Sequence, residues 1–360
     1  MGSSCLAGGV YSVLWMFYHL LSPALALLIT FPYFAKLWFQ THLSSMTSTP
    51  PPPRPFTDAR GSADENETAA VGYGAVAVAH AALAIPMILK PQSVAEYMLG
   101  GAAVPGNVEQ DHLFGLLAAG LLSGASAAWA LKGCAERRDL DSPTAERLEL
   151  GLMAMAGTAL GVHLVHGKDL TANGLGAGAA AAALTLGVPA AGMMTTAPGR
   201  RRLGSRIARF FDAAGRLFNF RRGFKLSTAL YAAITPLFFG AGIAYVIAPG
   251  WTLSNIMGYA LKGRDATFVW RNVGSALLSV LPAITYSLKE KADSDELTEA
   301  TPRILNAGLM LTSVGHLAVL GPMVNDGVGG RYLPGAVGVW AASAVAALVG
   351  LSSSASDKRF

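Results

Sequence analysis

Ionisable side chains are scarce in this chain, so the few that flank its apolar stretches are the natural place to look for chemistry. Four aspartates form two pairs. Asp111 and Asp265 each open an apolar stretch in the same pattern, Asp111-x-x-Phe114 and Asp265-x-x-Phe268, while Asp169 and Asp326 each follow one. Glu109, His112, Arg271 and Asn272 lie beside the first pair; His166, Lys168 and Asn325 lie beside the second. A carboxyl at the mouth of an apolar cavity keeps its proton more readily than one in water, because desolvation disfavours the charged form, and it is then suited to act as a general acid. An Asp at a helix start is also an N-cap, and acids in short loops are ordinarily solvated, so a structural role is the alternative at each position.

The histidines within or near the apolar stretches are His80, His163, His166 and His316. His163 and His166 have the i, i+3 spacing of paired metal or haem ligands, but no Glu-x-x-His or His-rich box accompanies them, and helix-to-helix hydrogen bonding is the favoured reading. The loop acids Asp139-x-Asp141 and Asp293-x-Asp295-Glu296 lie among basic residues, which favours solvated loops. The phosphate-binding G-x-x-x-x-G-K, the nucleophile G-x-S-x-G, the dinucleotide fingerprint and a DDxxD-type run are absent from the sequence. Nucleotide hydrolysis, serine hydrolysis and metal-assisted ionisation of a prenyl diphosphate therefore find no support. No cofactor and no metal is expected. Cys5 and Cys134 form no C-x-x-C or zinc pattern, so no disulfide framework is implied.

The elements that must position these residues are membrane helices. The chain is 52% hydrophobic and only 14% charged, against roughly a quarter charged in soluble domains. Nine apolar stretches approach the length that crosses hydrocarbon, at about 11–38, 70–89, 113–132, 148–166, 173–194, 227–248, 267–288, 303–323 and 333–351. Many are rich in Ala and Gly, as expected of helices that pack closely on one another. Residues 48–69 are Pro-rich and then polar and read as a disordered linker, which leaves 1–47 as an N-terminal membrane anchor segment, retained rather than cleaved.

The remainder aligns with itself at an offset of roughly 153 to 159 residues. Pro91 and Met98 pair with Pro249 and Met257, Leu121-Leu122-Ser123 with Leu277-Leu278-Ser279, Leu131-Lys132 with Leu288-Lys289, and Gly151-Leu152-Met153 with Gly308-Leu309-Met310. The expected fold is an all-α integral membrane protein of two tandem four-helix repeats, 70–196 and 227–352, plus the N-terminal helix. An even helix number per repeat makes the repeats parallel. Between them, 197–226 is a basic amphipathic linker in which Arg200 to Lys225 hold eight Arg and one Lys against Asp212. Its apolar face, Ile207, Phe210, Phe211, Ala214, Leu217 and Phe218, suits anionic lipid, although a plain topology signal explains the charge equally well. A short tail, 353–360, ends the chain. The positive-inside bias places the linker, the 132–147 and 289–303 loops and the tail in the cytosol, and the four aspartates on the opposite face. A multi-pass protein of the endoplasmic reticulum is the expectation. The sequon Asn66-Glu67-Thr68 falls on the cytosolic side, so finding it glycosylated would reverse the orientation.

An Ala/Gly-rich chain of eight or nine membrane helices, without a nucleotide motif and with acids gathered at one membrane face, resembles the fungal membrane-bound terpene cyclases of meroterpenoid biosynthesis, of the ascochlorin and macrophorin type. The resemblance covers the whole chain and is one of architecture. It implies cyclisation of a farnesyl chain carried on a polar ring, started by protonating an alkene or epoxide. In that chemistry Asp111 and Asp265, then Asp169 and Asp326, are the candidate acids. Phe114, Trp129, Phe268, Trp270 and Tyr286 offer π faces to carbocations, with Arg271 and Asn272 beside the substrate, and a second acid or a histidine removes the last proton. The partners implied are the lipid bilayer and a hydrophobic prenylated small molecule, with no nucleic acid; an oligomer is compatible with the Gly-rich faces. The alternatives are a small-solute or proton-coupled transporter, since parallel repeats also serve transport, and a non-catalytic assembly subunit.

Overall fold

A computed structural model describes residues 63–100, 103, 107–195, 209, 215–220, 225–259 and 264–356. The N-terminal anchor, most of the Pro-rich linker, most of the basic linker and the end of the tail lie outside the described residues. Among those described the structure is helical and contains no strand. In order the helices are α1 (Ala63–Leu89), α2 (Pro91–Leu99), α3 (Val108–Glu136), α4 (Pro143–His166), α5 (Ala172–Thr195), α6 (Leu226–Ile247), α7 (Pro249–Ile256), α8 (Arg264–Leu278), α9 (Val280–Asp293), α10 (Ala300–Asn325) and α11 (Leu333–Ser356). Eight segments are long and apolar enough to cross a bilayer, with α8 and α9 together forming one of them. They match eight of the nine apolar stretches of the sequence.

Three local differences from the sequence reading have physical causes. Helix α1 begins at Ala63 rather than 70, because Asp64, Glu65 and Glu67 place negative charge at the helix N-terminus, where the macrodipole favours it. The span 267–288 breaks at Ser279, since Pro282 in the first turn of α9 has no N–H and its ring crowds the carbonyl of residue 278. Two short helices, α2 and α7, follow the first span of each half; each opens with a proline, whose missing N–H has no partner to lose there.

Each half thus reads long, short, long, long, long, and fine features recur with the same spacing. The short helices end at Gly100 and Gly258, both with positive φ (58° and 74°). Among the described residues the non-glycine ones with positive φ are Arg138, just past α3, and Asp295, roughly 157 residues later and just past α9. In both of these turns the chain closes the helix by three backbone bonds, Arg137 N to Gly133 O, Arg138 N to Ala135 O and Asp139 N to Cys134 O, then Ser294 N to Glu290 O, Asp295 N to Ala292 O and Glu296 N to Lys291 O. Inside the membrane Tyr73 donates to Glu149 at 2.6 Å, and Tyr231 donates to Asn306 at 2.5 Å. Both bonds tie the first span of a half to its third.

The packing shows how the halves join. Within each half the first span lies against the second (α1 on α3; α6 on α8 and α9), the third against the fourth (α4 on α5; α10 on α11), and the first against the fourth (α1 on α5; α6 on α11). The third span of each half also crosses to the other, α4 packing on α8 and α9, and α10 on α3, while α3 touches α8 at the centre. Glycines permit these crossings. A Cβ on Gly151 would fall 2.8 Å from the Cβ of Ala283, and one on Gly308 would fall 2.2 Å from the Cβ of Ser126. The Gly-Leu-Met triplets noticed in the sequence are therefore the contact between halves.

At the end carrying the 132–147 and 289–303 loops, charges are paired. Arg147 meets Glu290 at 2.5 Å, and Lys289 lies 3.7 Å from Asp293 with both side chains about 95% buried. The expectation of solvated loop acids is thus corrected at Asp293: it is the last residue of α9 and is held inside the bundle by its i−4 lysine. Part of the basic linker docks here too. Arg209 forks onto Glu146 at 2.9 and 3.0 Å, Lys289 donates to the carbonyl of Asn219, and Leu217 is buried against Ala232 and Tyr286 while Phe218 stays exposed.

Candidate functional site: a cavity within the first half

Helices α1, α2, α3, α4 and α5 enclose a cavity of about 370 Å3, closed on its remaining side by α8 from the other half. Of its lining residues Ala82, Pro86, Lys90, Ser93 and Tyr97 are exposed and mark where it opens, the last three toward the end of the bundle where the four aspartates lie. Its deepest walls are Leu121, Thr185 and Ala276. His80 and Met87 are both lining residues of α1, which gives the chamber a depth of at least roughly 10 Å at 1.5 Å per residue. Below it the helices meet directly: His80 and Met155 close over Gly124, and Ala127, Ala128, Ala130 and Leu131 of α3 are fully buried. The chamber is blind toward the basic end.

Its walls are mainly Ala, Leu, Met, Val and Phe268, with a few polar groups among them. Thr185 gives its hydroxyl proton to the carbonyl of Ala181 (2.7 Å), so its oxygen accepts from Nε2 of His80 at 3.0 Å. Asn272 donates to the carbonyl of Phe268 at 2.9 Å, and Ser275 to that of Asn272 at 2.6 Å. His163 contacts the carbonyl of Ala159 through Nδ1 at 2.7 Å; a carbonyl only accepts, so Nδ1 carries the proton. Nε2 of His163 is buried and has no hydrogen-bond partner. The Phe268 ring and this imidazole meet in a T-shaped pair, with centroids 5.0 Å apart and planes at 89°.

One turn further along α4, His166 joins the halves. Its Nδ1 lies 3.3 Å from Asp169 and its Nε2 lies 3.1 Å from the guanidinium of Arg271 on α8. Arginine can only donate, so Nε2 accepts and the proton sits on Nδ1, facing the carboxylate. On the second half's side, His112 pairs with the hydroxyl of Tyr259 at 2.6 Å. Burial, and then the nearby Glu109, raise the pKa of that phenol, which keeps it protonated and able to donate to His112.

The sequence-predicted residues divide accordingly. Phe268 and Asn272 line the cavity. Asp169 and Arg271 belong to the His166 cluster beside it. Asp111 is half-buried in the first turn of α3, whose N-cap is Asn107, accepting from the backbone of Glu109 and Gln110. Asp265 is the second residue of α8, and its side chain lies outside those described. Asp326 is exposed and is the C-cap of α10. Asp111, Asp169 and Asp326 thus share one end of the bundle without lining the cavity. Phe114 is buried in the core (1% exposed). Trp270 donates to Thr252 at 2.7 Å and stacks on Tyr245 at 4.2 Å within the second half. Trp129 and Tyr286 stand near the basic end, beneath Lys132 and Arg147 respectively. Among the described residues no group of acids, histidines and cysteines is arranged to hold a metal ion.

Sequence reasoning gave little weight to His80 and His163. The signal for His163 was present: it falls on the same helical face as Met155, Ala156 and Ala159, all lining residues. What the sequence could not supply was that its Nε2 would be left without a partner. His316, its counterpart in the second half by position, likewise bonds its own helix through Nδ1 (carbonyl of Thr312, 2.9 Å) and leaves Nε2 unpartnered, but it stacks on Trp340 at 3.6 Å.

No protein-family model matches the chain, and no curated protein is similar to it. Fold and composition define an all-α, multi-pass integral membrane protein; its activity has to be argued from the site.

Proposed function

We propose that this protein is a membrane-embedded cyclase acting on a prenylated small molecule, which it takes into the cavity of the first half. The observation that supports this reading best is the shape of that cavity: apolar, blind at mid-depth, open toward the face where acids gather, and of a size within the roughly 300–1,000 Å3 of small-molecule sites. A farnesyl chain folds within it so that the reacting alkene or epoxide turns back toward the rim, on the side of the acidic face.

The reaction is an isomerisation. A general acid from the acidic face, with Asp111 and Asp265 first, delivers a proton to an alkene or epoxide; the alkene π electrons then form the new ring bonds; and the final carbocation loses a proton to a second acid or a histidine. Proton count and electron count are unchanged, and no cofactor is consumed. Phe268 offers its ring to the developing cation. Because the reacting chain is lipid-soluble, residence in a membrane such as the endoplasmic reticulum gives it lateral access.

The test is turnover by microsomes containing the protein, incubated with a farnesylated phenol or its terminal epoxide. Cyclised product lost in the Asp111→Asn, Asp265→Asn double variant supports the reading. Product unchanged in that variant rejects the acid assignment, and no turnover at all redirects attention to transport or assembly.

A further inference from the structure

The two halves differ where their repeats correspond, and the difference makes room for the cavity. In the second half Trp340 of α11, only 4% exposed, packs on both His316 and Phe238, with ring centroids 3.6 and 4.9 Å away. In the first half the residue of α5 that meets the equivalent histidine, His163, is Gly178, and Ala181 and Ala182 continue the wall. An indole fills the interior of one half; small residues leave a chamber in the other.

The mouth of that chamber has its own chemistry. Ala82 and Pro86 are exposed lining residues of a helix long and apolar enough to cross the bilayer, and Lys90 continues their i, i+4 row beside the inward row of His80, Leu83 and Met87. Lipid therefore meets the chamber along the side of α1. Lys90 is the one Lys, Arg, Asp or Glu among the described lining residues, and Ser93 and Tyr97 stand with it on the rim. None of these three side chains has a hydrogen-bond or ion-pair partner among the described residues, and the nearby Glu96 accepts from Gln92 instead, at 3.5 Å. The fold does not call for the cation. Ala248 takes its place in the second half, and the two residues make the same backbone bond, Lys90 N to Pro86 O at 2.8 Å and Ala248 N to Ala244 O at 2.9 Å.

We propose that the cavity binds a single-chain amphiphile with a carboxylate-like anionic head. The chain passes sideways from the bilayer by Ala82 and Pro86 into the chamber, and the head stays at the rim, where the Lys90 ammonium and the hydroxyls of Ser93 and Tyr97 donate to it. The arrangement keeps the charge at the membrane interface while the apolar chain is buried. The inference rests on reading the cavity as a lipophile site, to which it adds the charge of the head, and it is independent of whether the bound molecule is cyclised.

Binding of farnesylacetic acid and of its methyl ester to the purified full chain in detergent micelles, above the pKa of the acid, tests it in wild type, Lys90→Gln and Lys90→Arg. Each ligand is compared with itself across the variants, so its partition into micelles cancels. Acid affinity is expected to fall roughly tenfold in Lys90→Gln and to be kept in Lys90→Arg, with the ester unchanged throughout. A diazirine at the far end of the acid's chain provides a measurement that needs no variant. In wild type it marks the lining residues Leu121, Met155 or Ala182 rather than the outward-facing Ile85 and Leu184, and excess phosphatidylglycerol, an anionic lipid with two chains, does not displace it. Equal loss of acid and ester in Lys90→Gln, no loss of either, labelling confined to outward-facing side chains, displacement by phosphatidylglycerol, or no binding of either compound overturns the proposal. Acid binding that depends on Lys90 without turnover of farnesylated phenol leaves this inference standing and removes the cyclase; turnover with acid binding unchanged in Lys90→Gln does the reverse.

Discussion

Replacing Gly308 by alanine probes the contact between halves most directly. Its added Cβ would stand 2.2 Å from the Cβ and Oγ of Ser126 on α3, whereas carbon atoms rest about 3.5–4.0 Å apart. Helices α10 and α3 must therefore part by about 1.5 Å, or Ser126 must move while keeping its bond to the carbonyl of Ser123. Alanine in place of glycine within a helix gains up to about 1 kcal/mol from backbone entropy, while overpacking a fitted contact costs about 1–3 kcal/mol. The net expectation is a loss of about 0–2 kcal/mol, in the upper part of that range given the 2.2 Å approach. Gly157, with nothing within 4 Å of its virtual Cβ, is the matched control, and there the same substitution should be neutral or stabilising. The assay is the midpoint of SDS-driven unfolding from mild detergent, followed by helical circular dichroism, for Gly308→Ala, Gly157→Ala, Ser126→Gly and the Gly308→Ala, Ser126→Gly pair. The pair should recover most of the loss, since the second change removes the atoms that the first one meets. If Gly308→Ala proves as stable as Gly157→Ala, or the pair is no better than the single variant, the close crossing of α10 over α3 is refuted.

Tyr231→Phe leaves the buried side chain of Asn306 without its 2.5 Å bond and should cost about 1–3 kcal/mol in the same unfolding assay; Tyr73→Phe should do likewise through Glu149. Arg138→Gly relieves a left-handed backbone (φ 57°) and is expected to stabilise by about 1 kcal/mol, read as a rise in the unfolding midpoint. For topology, cysteines introduced at Asp141 and Asp326, both exposed, should react with an impermeant maleimide from opposite sides of sealed microsomes. Labelling of both from one side contradicts the even-numbered, parallel repeats.

Much of the fold was legible because burial in lipid imposes long apolar runs, and because the same runs occur twice. The pairs Pro91 with Pro249 and Gly151 with Gly308 turned out to mark real devices, helix starts in one case and the crossing of halves in the other. The breaks were harder to read. Ser279 ends a helix inside a continuous apolar stretch, visible only once Pro282 is set against the carbonyl four residues before it. The polar bonds Tyr73 to Glu149 and Tyr231 to Asn306 were hidden by a change of partner type between repeats, although their spacing is nearly the same. At the site, the sequence drew attention to acids by their placement at helix ends. Hydropathy places residues along the membrane normal and says nothing of which helices are neighbours, so it could not tell that Phe268 of one half would form the wall of a cavity in the other. Trp129 and Tyr286 were grouped with it by chemistry alone, and they lie near the opposite end of the bundle.

The crossing of the third spans has a consequence in time. Helix α4 finds its main companions in α8 and α9, whose last residue is made roughly 127 residues after α4 is complete, an interval of about 6 to 25 s at ordinary rates of synthesis. Through that interval Arg147 waits for Glu290, and the wall of the cavity that α8 will supply is missing. The first half is thus born incomplete, and its cavity closes only when the second half packs on it.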